Sequence, residues 1–143
     1  MSTNQYITPA NAPTNRPRRG PRQWWTVVTT LLATAVFSEA VCAGAMLSGV
    51  GWGRTAHHAI AVVLIACALL ASLVSIVTLR AIPHGRSLSL GLLALALTVC
   101  LQTAVGALSA HGANLLWVHV PLGVALVGLA MQTATGARRL GTE

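Results

Sequence analysis

The sequence predicts an all-α integral membrane protein, an antiparallel four-helix bundle with both termini on one side. Three observations predict it. Hydrophobic residues make up 55% of the 143-residue chain and charged ones 8%, whereas soluble domains carry about 25% charged residues. The apolar residues fall in four runs, 24–48, 57–79, 88–110 and 115–135, each long enough to cross about 30 Å of hydrocarbon as a helix. The nine arginines are spread unevenly around those runs, eight on one predicted face and Arg54 alone on the other.

Residues 1–23 are rich in Asn, Pro, Thr and Arg. Such a segment buries too little apolar area to fold, so it is expected to be a disordered basic tail near anionic headgroups. Trp24 and Trp25 open the first span and read as an interfacial anchor. That span is too long and too far from Met1 for a signal peptide. The loop 49–56 is short and Gly-rich. The second span, 57–79, opens on His57 and His58. The loop 80–87 holds Pro83 and His84, and the third span follows at 88–110. The turn 111–114 leads to the fourth span, 115–135. Short connections favour antiparallel neighbours. The bundle is expected over 24–136, and 137–143 is a short basic tail. None of the spans shows the period-2 alternation of a membrane barrel strand.

The charge is +7, with no Lys and two acids. Arg16, Arg18, Arg19 and Arg22 precede the first span, Arg80 and Arg86 lie in the second loop, and Arg138 and Arg139 follow the last span. By the positive-inside rule these sites are cytoplasmic. The expected location is therefore the cell membrane, multi-pass, with the lipid bilayer as partner and both termini inside. This distribution argues against a nucleic-acid partner. Cys42, Cys67 and Cys100 all fall inside spans, where they read as small packing residues.

A shift of 62 positions overlays the first helix pair on the second. Gly44 meets Gly106, Ala45 meets Ala107, His57 meets His119, and Leu64 meets Leu126. A duplicated two-helix unit is expected from the paired His and Gly. His57 or His58 and His119 then lie at similar depth on two helices that both run inward. Two imidazoles facing across a bundle can supply both axial ligands of a haem iron, in a low-dielectric pocket that suits a flat macrocycle. Gly44, Ala61, Gly106 and Gly123 are candidate positions beside the ring. Arg54, Asn114 or Trp117 are candidates for the propionates. Zinc would call for three or four ligands. A His at a helix end is also an ordinary interfacial residue, and His84 and His111 are read that way. His119 lies within a span, where polar residues are functional candidates.

The segment LLALALTVCLQTAVGALSAHGANLLWVHVPLGVALVGLAM resembles the second helix pair of one four-helix half of the heme A synthase family. The matching residues are His57 or His58, then Leu101, Gln102 and Gly106, then His119. The chain also resembles small four-helix membrane proteins of actinobacteria with the same spacing. The resemblance covers about 36–139 and implies one b-type haem held by two His near the outer face. The chain departs from that family in three ways. It is one half rather than two, it carries no cysteine pair in an outer loop, and no Arg follows the second-span His. These departures favour a role in electron transfer or haem handling, with a membrane redox or oxidase-assembly partner, over a stand-alone enzyme. The competing expectation is a cofactor-free membrane scaffold or accessory subunit. Glu39, the one acid within a span, is expected to hydrogen-bond across helices to Gln102 or Thr98. The alternative role for it is a proton relay beside a cofactor.

Overall fold

The computed structural model describes residues 20–140, so the expected tail over 1–19 lies outside the described residues, as do 141–143. Four α-helices account for nearly all of the rest: α1 (Pro21–Leu47), α2 (Gly53–Thr78), α3 (Gly85–Ala110) and α4 (Leu116–Ala137). All four are long and apolar enough to cross a membrane, so the chain is a multi-pass membrane protein. Leu, Val and Ile cover their outer surfaces, with Leu31, Leu70, Val77 and Val124 each more than 60% exposed. Apolar surface on that scale belongs in lipid. In hydrocarbon every backbone polar group needs an internal partner, and a continuous helix supplies one.

The first three helices begin three or four residues before the apolar runs. Helical hydrogen bonding continues into the polar residues Arg22 and Gln23, Gly53 to Thr55, and Gly85 to Ser87. Pro21 sits in the first turn of α1, where its missing N–H leaves nothing unpaired. The α3–α4 turn passes through Gly112 at φ +98°, a conformation suited to glycine.

Each helix packs on its two ring neighbours, and the diagonal pairs α1/α3 and α2/α4 make no backbone contact. The bundle is thus a square, with α1–α2 and α3–α4 as equivalent hairpins. Burial is uneven along it. At the end that carries both described termini the interior is tightly filled. Leu79, Leu92, Leu95, Leu140, Val99, Thr29 and Ser75 are all less than 2% exposed there. Ala68 and Ala96, both fully buried, let the helices approach closely, as small residues do in membranes. Toward the opposite end full burial gives way to half-buried positions, and Cys42 and Gly53 are the fully buried residues among 39–63 and 100–125.

Candidate functional site

That looser half holds two polar pairs, which between them draw one side chain from each helix. Glu39 comes from α1, His57 from α2, Gln102 from α3 and His119 from α4. His57 and His119 lie about one turn inside their helix starts, and Glu39 and Gln102 about two turns from their helix ends.

The four form two pairs. His57 Nδ1 lies 3.1 Å from Glu39 Oε1. This contact reaches ion-pair distance without hydrogen-bond alignment, because Nδ1 has no hydrogen-bonded partner. Gln102 donates from Nε2 to the His119 backbone carbonyl at 2.9 Å, and the same nitrogen stands 3.3 Å from His119 Nε2. Each pair joins an odd-numbered helix to the even-numbered helix that follows it. The sequence separations are also close, 17 for Gln102–His119 and one more for Glu39–His57. The two hairpins therefore present the same kind of contact, a polar group on the outgoing helix against a His on the returning one.

Glycines make the α3–α4 pair possible. A Cβ on Gly106 would stand 2.8 Å from His119 Cε1, and one on Gly123 would stand 3.0 Å from Gln102 Nε2. Any side chain at either position would push the polar groups out of place.

Four buried polar atoms here lack a hydrogen-bond partner: Glu39 Oε2, His57 Nδ1, Gln102 Oε1 and His119 Nδ1. Buried polar atoms are nearly always paired in proteins, and a cluster that is not calls for a specific explanation. The donor set suits an iron porphyrin. It offers two imidazoles on diagonal helices, each with a ring nitrogen that makes no hydrogen bond. It does not suit zinc or a di-iron centre, since no group of three or more His, Cys, Asp or Glu comes together among the described residues.

The remaining expected residues are placed as follows. His58 is exposed, so helical phase separates it from His57. Gly106 lies against the His119 imidazole. Gly44, its partner in the 62-residue shift, is exposed with no neighbour against it. Arg54 is exposed in the first turn of α2, and Asn114 and Trp117 are exposed at the same end. Glu39 does not meet Gln102 or Thr98. Its helix is diagonal to theirs and makes no contact with it, Thr98 donates to the Ala94 carbonyl, and Gln102 is taken up by His119. The sequence reading did not pair Glu39 with His57, although a carboxylate and an imidazole facing each other across a short hairpin were a usable signal. No known family, no curated protein and no solved structure matches this chain.

Proposed function

We propose that this protein binds one b-type haem between His57 and His119, in the half of the bundle away from its termini, and serves electron transfer or haem handling. The single observation that supports the reading is that each hairpin carries a half-buried His about one turn inside its returning helix, against a polar group of the outgoing one, with a ring nitrogen of each His making no hydrogen bond. The arginine distribution further supports both termini being cytoplasmic and the site lying toward the outer face of the cell membrane. The likeness to one half of heme A synthase points the same way.

His57 and His119 would hold the iron, and a haem there would supply one-electron chemistry. The chain's own groups have separable tasks. Glu39, 3.1 Å from His57 Nδ1, would accept a hydrogen bond from that nitrogen once the ring holds iron and so orient it, as carboxylates behind metal-bound histidines do. Gln102 ties the α4 backbone at His119 to α3. Gly106 leaves room for the His119 ring. The tightly packed half holds the helices at fixed spacing and keeps water out from below.

A second reading treats the four polar groups as an interhelical clasp in a cofactor-free scaffold. The Gln102 bond to the His119 carbonyl favours it, since such bonds hold membrane helices together at about 0.6 kcal/mol each. Haemin titration of the purified protein separates the two. The haem reading predicts saturation at one haem per chain, with binding lost in His57→Ala and His119→Ala and kept in His58→Ala. The clasp reading predicts no saturable uptake by any of the four.

A further inference from the structure

Gln102 does more than tie α3 to α4. Its amide nitrogen donates to the His119 carbonyl at 2.9 Å and stands 3.3 Å from His119 Nε2. The orientation of the amide is fixed, because reversing it would set Gln102 Oε1 against the carbonyl oxygen, two acceptors with no proton between them. Gly123 gives the amide room, since a Cβ there would stand 3.0 Å from Gln102 Nε2. One N–H of the amide is taken by the carbonyl, and the second faces the imidazole. His119 Nε2 must then accept, and in a neutral ring the proton falls on Nδ1. That Nδ1 is buried and has no partner, so the Gln102 contact alone holds the proton there.

His57 reaches the same state by a different route. Glu39 approaches it at Nδ1, 3.1 Å away, and a carboxylate beside a ring nitrogen draws the ring proton to that nitrogen. An acceptor at Nδ1 in one hairpin and a donor at Nε2 in the other both leave Nε2 without a proton. A metal takes a histidine only through an unprotonated nitrogen. We propose that Gln102 is a positioning residue that keeps the His119 proton on Nδ1 and so makes Nε2 the nitrogen offered to iron. The tautomer follows from the hydrogen bonding alone, and its use by iron rests on the proposed haem site. The amide N–H occupies the lone pair that iron would take, so the amide gives way on haem binding.

Nitrogen NMR of the full-length, metal-free protein with isotope-labelled histidine reads the tautomer directly, the His119 signal being assigned by its loss in His119→Asn. Nδ1–H is expected in the wild type. Gln102→Leu should move the ratio of the two tautomers about two- to tenfold toward Nε2–H, the worth of one net hydrogen bond. A proton on Nε2 in the wild type, or an unchanged ratio in a folded Gln102→Leu chain, would overturn the assignment. Gallium protoporphyrin, a diamagnetic stand-in for haemin, is expected to shift the Gln102 side-chain amide signal of the wild type. Binding that leaves this signal in place would overturn the displacement of the amide. A wild-type chain that shows Nδ1–H yet takes up no porphyrin would sink the haem site and leave the role of Gln102 in setting the tautomer standing. The first measurement uses the wild-type chain, so it holds even if Gln102→Leu folds poorly.

Discussion

Gly106 is the residue on which the site's geometry turns. Its missing side chain lets the His119 ring lie against α3. Gly106→Leu would force the ring away, at about 1–3 kcal/mol for overpacking, and haem uptake should disappear while the helical content persists. Gly44→Leu, at the equivalent position of the first hairpin, meets open space and should leave both haem uptake and melting temperature unchanged. This contrast was hidden in the sequence. The 62-residue shift makes the two glycines equivalent, and only the packing shows that one lies under an imidazole and the other faces outward. The same holds for His57 and His58. Both begin an apolar run, and one step of 100° along the helix decides which points inward. Glu39→Gln should keep the fold and weaken haem binding ten- to a hundredfold, the usual effect of removing a group that orients a metal-bound His. Isothermal titration with haemin measures that loss. If affinity is unchanged, Glu39 is no more than a neighbour of the ring.

At the scale of the helix, lipid made the architecture legible. A run of twenty or more apolar residues has one stable form in hydrocarbon, so four runs meant four helices. The starts were harder to read, because hydropathy ends where the interface begins while hydrogen bonding continues. Arg22 and Gln23 are the clearest instance, polar yet inside α1. Which helices touch was not legible either. Glu39 and Gln102 looked like partners until the square arrangement set α1 and α3 on a diagonal. Close packing depends on small residues in the half nearest the termini. Ala68→Leu and Ala96→Leu, both at fully buried positions, should each destabilise the bundle by about 1–3 kcal/mol, read from thermal melting in detergent. Gly85 governs the α2–α3 connection, where a Cβ would collide with the Leu79 carbonyl. Gly85→Ala should therefore lower the melting temperature more than an exposed substitution such as Gly44→Ala does.

The whole molecule divides into a packed half and a polar half. The packed half holds almost all the fully buried side chains, and the polar half holds Glu39, His57, Gln102 and His119. Few buried contacts and unpaired polar groups mark the part of a protein that opens most easily. Hydrogen exchange should therefore be faster over 53–60 and 104–120 than over 64–75 and 88–99, and haem should slow the first two segments selectively. Two hairpins of one kind, each bringing a polar group against a His, build this half. The sequence carried that repeat in the matched His57 and His119. The offset of one residue between Glu39 and Gln102 concealed the rest, because the shift sets Glu39 against Leu101.

If imidazoles from diagonal helices grip one iron porphyrin, the protein purified from haem-replete cells carries that haem in its visible spectrum. A Soret band with sharp α and β bands on reduction is expected, at one haem per chain, and absent from a folded His119→Ala protein. A folded wild-type protein that is colourless and stays colourless with added haemin would contradict it.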